Sequence, residues 1–120
     1  MARIMIAEDE VAVRTLLTRA LTQDGHEVDS APDGAAALEK LSTSPPFDLL
    51  LTDIQMPMMD GIALALSVSR DQPKLKIVLM TGYTDQRERA FGLKTLIHDI
   101  VQKPFTLAEI RAALNHALAA

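Results

Sequence analysis

The chain has 120 residues, a formal net charge of −4 and no cysteine. This length allows one domain with its own core, and the negative charge argues against a protein that binds the phosphate backbone of nucleic acids. Without cysteine, disulfides, thiolate chemistry and cysteine-ligated zinc are excluded. No apolar run approaches the roughly 20 residues of a membrane helix, and the N-terminus lacks a signal-peptide pattern. We therefore expect a cytoplasmic protein.

Strand-like and helix-like patterns alternate along the whole chain. Residues 3–7 are apolar, as in a buried strand, and the next segment has apolar residues at helical spacing: Val13, Leu16, Leu17, Ala20 and Leu21. Gly25 follows as the expected C-cap. The capping box Thr106 and Glu109 marks the start of the last helix, from Leu107. The elements between are predicted at 26–31 (edge strand), 35–41 (helix), 48–53 (strand), 62–68 (helix), 76–80 (strand), 84–93 (helix) and 98–102 (strand).

The alternation of strands with helices, repeated five times, predicts the fold class. Each strand–helix–strand connection is expected to be a right-handed crossover, which places all strands in one parallel sheet with helices on both faces. The expected order is 2-1-3-4-5, the doubly wound, flavodoxin-like three-layer α/β sandwich. No internal repeat or long linker divides the chain, so one domain over residues 1–120 is expected.

The segment 48–53 is the most informative part of the sequence. Its apolar run leaves no room for polar alternation, which is typical of a strand buried on both faces of a parallel sheet. The strand ends on Asp53, and a loop with the turn pair Asp60-Gly61 follows. Such sheets bind ligands outside the carboxyl ends of their strands. For Asp53 alone, however, a turn residue is the simpler interpretation.

Functional groups follow four of the predicted strands. Glu8 and Asp9 come after the first strand, Asp53 after the third, Thr81 after the fourth and Lys103 after the fifth. At one edge of a parallel sheet, clustered carboxylates raise one another's pKa, and a hard cation such as Mg²⁺ relieves that repulsion. A metal, an ammonium and a hydroxyl suit phosphoryl transfer to a carboxylate, which becomes an acyl phosphate. Asp53 is the best candidate acceptor because it ends the central strand.

Each of these residues also has a simpler interpretation. The acidic run 8–10 suits the N-terminus of a helix, Thr81 suits a turn, and Lys103 suits a surface lysine with its stem on apolar residues. These interpretations do not explain why all of them occur together at the ends of different parallel strands.

With these residues in place, the chain resembles the receiver domain of two-component response regulators over its whole length. The matching stretches are Glu8-Asp9, the run from Asp53 to Gly61, Thr81-Gly82 and Lys103-Pro104-Phe105. The resemblance implies the CheY-like form of the fold and a signalling module, not an enzyme, that is phosphorylated on Asp53. It also implies Mg²⁺ as cofactor and a histidine kinase or histidine phosphotransfer protein as the donor.

The resemblance assigns metal ligands residue by residue. It implies that Asp9 contacts Mg²⁺ directly, that Glu8 does so through water, and that the main-chain carbonyl of Gln55 is a protein ligand beside Asp53. Receivers more often have Asp where this chain has Glu8, and the longer side chain is expected to change metal affinity.

The resemblance assigns the remaining residues to the phosphoryl group and the switch. Thr81 would move its hydroxyl to the phosphoryl group, and Lys103, followed by a cis bond to Pro104, would form an ion pair with it. Receivers usually have Tyr or Phe where this chain has Ile100. Tyr83 is the alternative candidate for gating the site, although a half-exposed loop aromatic is the simpler interpretation.

No output domain follows the last helix within the 120 residues, so the expected output is a surface of the receiver itself, made of the fourth helix, fifth strand and fifth helix. The polar segment 84–93 is the expected mobile element, and phosphorylation would shift a pre-existing equilibrium there. The stretches 79–83, 85–90 and 96–99 are most similar to receivers of the CpdR type. That similarity implies an adaptor whose unphosphorylated form delivers substrates to the ClpXP protease.

Other functions stay open. One alternative is a stand-alone receiver of the chemotaxis or cell-cycle type with another protein target. A small aspartyl phosphatase is a second, although such enzymes use Asp-x-Asp and this chain has Gln55. A nucleotide or flavin binder would need a glycine-rich phosphate motif that the sequence lacks. We expect a monomer or weak homodimer, with no nucleic-acid partner and no membrane insertion.

Overall fold

The computed structural model describes residues 1–82 and 96–120. The predicted helix at 84–93, together with Tyr83, lies outside these ranges. None of the helices in the described ranges has the length and apolarity needed to cross a bilayer. The described strands are β1 Arg3–Ala7, β2 Glu27–Ala31, β3 Leu49–Asp53, β4 Lys76–Thr81 and β5 Asp99–Gln102. The described helices are α1 Val11–Gln23, α2 Gly34–Thr43, α3 Gly61–Asp71 and α4 Leu107–Ala119.

The strands form one parallel sheet in the order β2-β1-β3-β4-β5. The predicted fold class and strand order are therefore confirmed. β3 is the central strand and each of its residues is buried, as its unbroken apolar run predicted. β2 is an edge strand, as its weak alternation indicated.

An apolar layer covers each face of the sheet. On one face α1 and α4 pack over β1, β3 and β4, with Leu17, Leu21, Ile110 and Leu114 meeting Ile4, Ile6, Leu49, Leu51, Val78 and Met80. On the other face α2 and α3 contribute Ala37, Leu41, Leu64 and Val68, which meet Met5 and Leu50. Burial of each large aliphatic side chain contributes roughly 1.5–3 kcal/mol. The two layers together hold the strand ends in fixed positions.

Side-chain caps determine where three helices start. Asp33 caps α2 and Asp60 caps α3, each accepting a main-chain N–H from the first turn of its helix. Both helices begin one residue earlier than predicted because the residue after each cap is already helical. The predicted capping box of Thr106 and Glu109 is present at the start of α4.

The start of α3 lies against the end of β3. The main-chain N–H of Gly61 donates to the carbonyl oxygen of Ile54 at 2.8 Å. A Cβ at Gly61 would lie 2.0 Å from the main-chain oxygen of Asp53. Only glycine allows this approach, which fixes the backbone around Asp53.

The prediction from helical spacing was wrong for Leu16. Its side chain is 50% exposed, whereas Leu17 and Leu21 are buried. The apolar stripe of α1 is wider than the face that the sheet covers, so Leu16 lies beyond its margin.

Side chains of β2 and α2 occupy part of the free edge of β2. Its pairing with β1 turns the main chain of Ser30 away from the sheet. The outward N–H of Ser30 donates to Asp29 Oδ1 at 2.8 Å, and its carbonyl accepts from Lys40 Nζ at 2.7 Å. Lys40 also pairs with Asp29 Oδ1 at 3.0 Å, which closes the arrangement.

Candidate functional site

The parallel sheet brings the candidate residues to one edge. Glu8 follows β1, Asp53 ends β3, Thr81 ends β4, and Lys103 follows β5. Since β1, β3, β4 and β5 are consecutive neighbours in the sheet, these residues come from adjacent strand ends. Thr81 belongs to the strand itself and not to the loop after it.

The Lys103 ammonium lies between two buried carboxylates. Its Nζ donates to Glu8 Oε1 at 2.8 Å and to Asp53 Oδ2 at 3.1 Å. The side chain of Glu8 is 0% exposed and that of Asp53 is 8% exposed. Burial lowers the pKa of Lys103, but the hydrogen bond to Glu8 and the charge of Asp53 outweigh it, so the pKa lies above its ordinary value. Lys103 therefore stays protonated at neutral pH.

The Glu8 carboxyl group holds its proton more tightly than an exposed glutamate does. Burial raises the pKa of Glu8 from 4.5 to about 7, against the lowering effect of the Lys103 hydrogen bond. The charge of Asp53 and a hydrogen bond with Asp9 raise this pKa further. The hydrogen bond from Lys103 therefore does not offset the cost of ionising the buried Glu8, and a second cation beside this carboxyl group would reduce that cost.

The carboxylates can supply ligands to a metal ion. One oxygen from each of Glu8, Asp9 and Asp53 lies within 4.8 Å of the other two. Asp9 is exposed, and Gln55 lines the same cleft as Asp53. Hard oxygen ligands with uncompensated negative charge suit Mg²⁺, which binds through one or two carboxylates and keeps several waters. The residues present therefore fit a magnesium ion.

The Thr81 hydroxyl is buried and has no hydrogen-bond partner within the described part of the chain. Most buried side-chain polar atoms do have a partner. The main chain beside it is fixed, because the N–H of Lys103 donates to the Thr81 carbonyl at 2.6 Å. The peptide bond between Lys103 and Pro104 is cis, as the resemblance implied. An unpartnered hydroxyl at this strand end suits a ligand with acceptor oxygens.

A cleft of about 510 Å³ opens at the site. Asp53, Gln55 and Lys103 form its polar part, and the apolar part is lined by Val13, Leu16, Pro104 and Phe105. The sequence prediction missed this apolar wall, because helical spacing assigned the α1 residues to the core. The sequence did contain an indication of it, because the apolar positions of α1 span more of the helix circumference than one buried face can cover.

Two further contacts of Glu8 were also missed. Its Oε2 accepts the main-chain N–H of Glu10 at 3.3 Å, and its carbonyl oxygen accepts from Arg14 Nη1 at 2.8 Å. Glu10 makes no side-chain cap to α1 within the described chain, and the Glu8 carboxylate is directed at Lys103. The simpler interpretation, that residues 8–10 are only acids at the N-terminus of a helix, therefore does not account for these contacts. Spacing alone carried no signal for the arginine contact.

Ile100 has an apolar environment in the structure. It lies in β5, half buried, and packs against a cluster on the α3 side of the sheet that includes Ile54, Ile62, Ile77 and Leu79. No aromatic ring occupies this position of β5.

Comparison with known proteins finds relatives over nearly the whole chain. Residues 4–115 match the family model described as the response regulator receiver domain. The response regulator receiver protein CpdR of Brucella abortus is 39% identical over 110 residues, which cover 92% of this chain and 91% of that protein.

Longer relatives and solved structures give the same result. The response regulator MprA of Mycobacterium ulcerans is 34% identical over 116 residues, covering 97% of this chain but 50% of MprA, so the chain spans half the length of that relative. The structure of response regulator protein TrrA from Thermotoga maritima, in complex with Mg²⁺-BeF, matches with a TM-score of 0.85 and 30% identity. The match covers 96% of this chain and 97% of TrrA.

Proposed function

The chain belongs to the family of response regulator receiver domains, and from this membership we propose that it is a signalling module phosphorylated on Asp53. The observation that carries the proposal is the position of Lys103 Nζ, which bonds to both Glu8 and Asp53 at the edge where three carboxylates converge. The complex of TrrA with Mg²⁺-BeF supports Mg²⁺ as the ion for Glu8, Asp9, Asp53 and the Gln55 carbonyl.

The transfer uses Asp53 as nucleophile. One oxygen of its ionised carboxylate attacks the phosphorus of a phosphohistidine on a kinase or phosphotransfer protein. The O–P bond forms as the P–N bond breaks, and the departing imidazole nitrogen keeps the electron pair and takes up a proton. When bound, Mg²⁺ would offset the negative charge on the phosphoryl oxygens. Lys103 holds one oxygen of Asp53 in place through its hydrogen bond and places a positive charge beside the reacting group.

Thr81 and Lys103 provide the donors that read the phosphorylated state. The hydroxyl of Thr81, which has no partner among residues 1–82 and 96–120, and the ammonium of Lys103 can each donate to a phosphoryl oxygen. The Thr81 carbonyl accepts a hydrogen bond from the Lys103 N–H. A movement of Thr81 would therefore alter the contact between the ends of β4 and β5. We expect this movement to shift the equilibrium of the surface that includes β5 and α4.

The apolar wall of the cleft suits the phosphodonor protein. Leu16 is 50% exposed and lines the cleft that holds Asp53. A kinase or phosphotransfer protein that packs on this wall would bring its phosphohistidine to the carboxylate. Leu16→Ser should slow transfer from a protein donor and leave transfer from a small phosphodonor within about twofold, because it removes apolar contact area without adding a charge to the cleft that holds Asp53.

The phosphoacceptor proposal is tested with acetyl phosphate and Mg²⁺, followed by intact-protein mass spectrometry. The wild-type chain should gain one phosphoryl group that is lost in base, and Asp53→Asn should gain none. Asp48→Asn is the matched control, since Asp48 lies just before the other end of β3, and it should be phosphorylated like the wild type. Equal phosphorylation of Asp53→Asn would show that another residue is the acceptor.

The finer proposal concerns the output. The similarity to CpdR, which extends over nearly the full length of both proteins, supports an adaptor that engages the ClpXP protease when Asp53 is unphosphorylated. The immobilised wild-type chain should retain ClpXP, and beryllofluoride with Mg²⁺ should release it. Asp53→Asn should retain ClpXP under both conditions. Retention that does not respond to beryllofluoride would refute the adaptor role and would favour a different protein target.

A further inference from the structure

Arg14 of α1 reaches back to the loop that carries the acidic pair. Its Nη1 donates to the main-chain carbonyl oxygen of Glu8 at 2.8 Å. The side chain is half buried, and its helical position is fixed because its N–H bonds to the Glu10 carbonyl at 2.9 Å. Its carbonyl also accepts from Thr18 Oγ1 at 2.7 Å. No ion pair between Arg14 and an acid is found among the described residues, and its guanidinium donates to a main-chain carbonyl.

Arg14 completes a set of contacts that fix Glu8 on every side. The N–H of Glu8 donates to the Ala31 carbonyl at 3.1 Å, its Oε1 accepts from Lys103, and its Oε2 accepts from the Glu10 N–H. The carbonyl belongs to the peptide group that joins Glu8 to Asp9. The hydrogen bond from Arg14 therefore fixes the plane of the peptide from which Asp9 extends.

Asp9 is less restrained than Glu8, although its side chain hydrogen-bonds to that of Glu8. It is exposed, unlike Glu8 and Asp53, so its position depends on the main chain that precedes it. A metal ligand that is already in place loses less conformational freedom on binding, and outer partners that orient ligands typically change metal affinity by 10–100-fold. The guanidinium thus stands where it can orient the ligands without neutralising them.

We propose that Arg14 is a positioning residue for the metal-binding pair Glu8 and Asp9, acting through the Glu8 carbonyl. This inference rests on the proposed Mg²⁺ site. A positioning role and a purely electrostatic effect predict opposite changes in Mg²⁺ affinity when Arg14 is replaced. Removing a nearby positive charge strengthens cation binding, because the repulsion between like charges is reduced. Removing an orienting hydrogen bond weakens it.

The test is the Mg²⁺ dissociation constant, measured by isothermal titration calorimetry at fixed ionic strength. Arg14→Met should bind Mg²⁺ about tenfold more weakly than the wild type. Arg19→Met is the matched control, since Arg19 is an exposed arginine of the same helix and its removal changes the net charge equally. It should bind Mg²⁺ as tightly as the wild type or slightly more tightly. Arg14→Lys, which retains a donor, should lie between the two.

A second readout separates positioning from a role in phosphoryl transfer. At saturating Mg²⁺, Arg14→Met should be phosphorylated by acetyl phosphate at a rate within about threefold of the wild type, because Arg14 contacts no reacting group. Unchanged or tighter Mg²⁺ binding by Arg14→Met would overturn the inference while leaving the proposed function intact. Failure of the wild-type chain to bind Mg²⁺ would overturn the proposed function and the inference with it.

Discussion

Asp48 and Asp53 flank the same strand, yet their surroundings differ completely. Asp48, just before β3, accepts the main-chain N–H of Arg3 with Oδ2 at 2.8 Å, and its own main chain bonds to Arg3 and Lys76. Asp53, the last residue of β3, has its carboxylate beside Lys103 and Glu8. One aspartate completes the sheet, whereas the other is directed at charged groups.

The same contrast extends across the sheet. At the amino edge His26 Nδ1 accepts the N–H of Ala2, and His98 Nδ1 accepts the N–H of Ile77, each at 3.1 Å. At the carboxyl edge, side chains contact one another, and the Thr81 hydroxyl has no partner in the described ranges. Polar side chains at the amino edge therefore stabilise the fold, and those at the carboxyl edge form the cluster that we propose a bound ion or phosphoryl group completes.

The largest expected difference between the edges concerns two lysines. Lys103→Met should slow phosphorylation of Asp53 by about 100-fold, because a preorganised cation is lost from the reacting charge. Lys76→Met, at the amino edge, should leave the rate within twofold. Time courses with acetyl phosphate, read by mass spectrometry, measure both rates. Similar losses in the two variants would mean that overall charge, and not position, controls the reaction.

The second largest difference between the edges is expected in the stability lost when a glycine is replaced by alanine. Gly61→Ala should lower the free energy of unfolding by about 3 kcal/mol, since the new Cβ meets a main-chain atom that has no room to move. Gly25, at the amino edge, has φ +95°, and a Cβ added there would meet nothing within 4 Å, so Gly25→Ala should cost only about 1 kcal/mol for the left-handed backbone. Urea denaturation measures both values. A smaller loss for Gly61→Ala would show that α3 can shift away from β3.

The carboxyl edge should lose stability as pH rises. The pKa of Glu8 is about 7 in the folded chain against an ordinary value of 4.5, so the folded state keeps a proton that the unfolded chain releases, and stability falls between these values. Glu8→Gln removes this dependence. The free energy of unfolding of the wild type should therefore fall by about 2 kcal/mol more than that of the variant between pH 5 and pH 8. Urea denaturation without Mg²⁺ at both pH values checks it. A pH-independent difference would contradict the buried, protonated carboxyl.

The amino edge should respond to pH in the opposite direction and more weakly. Burial, together with the charge of Lys76, lowers the pKa of His98 below its ordinary value of 6.5, so the neutral ring is the folded form. Stability from His98 is present above pH 6.5 and is lost as pH falls through the folded pKa. His98→Asn keeps a hydrogen-bond acceptor at this position. On acidification its free energy of unfolding should fall by about 1 kcal/mol less than that of the wild type. Identical acid unfolding curves would refute this role.

The sequence was sufficient to predict the fold and the residues that meet at the carboxyl edge of the sheet. The unbroken apolar run of β3 and the alternation of elements predicted the sheet order, and no strand bound differs from its predicted value by more than one residue. Asp53, Thr81 and Lys103 were predictable as neighbours because parallel strands share one edge.

The contacts that depend on helix rotation and backbone direction were not predictable. Leu16 is apolar like a core residue, and it is exposed only because of how α1 is rotated about its axis against the sheet. The Arg14 contact depends on where the Glu8 carbonyl points, which no residue type encodes. A raised pKa was predicted for the clustered carboxylates, and the charge of Asp53 does contribute to that of Glu8. The largest cause is burial of Glu8, which the acidic sequence of residues 8–10 did not indicate.

The polar arrangement of Asp29, Ser30 and Lys40 on the outer side of β2 has a consequence for how copies of the chain meet. Fibril growth requires exposed strand edges onto which another molecule can add. A molecule approaching β2 would have to displace the Lys40 ammonium from the Ser30 carbonyl and break an ion pair before it could pair with that residue. These contacts therefore disfavour strand addition at this part of the β2 edge.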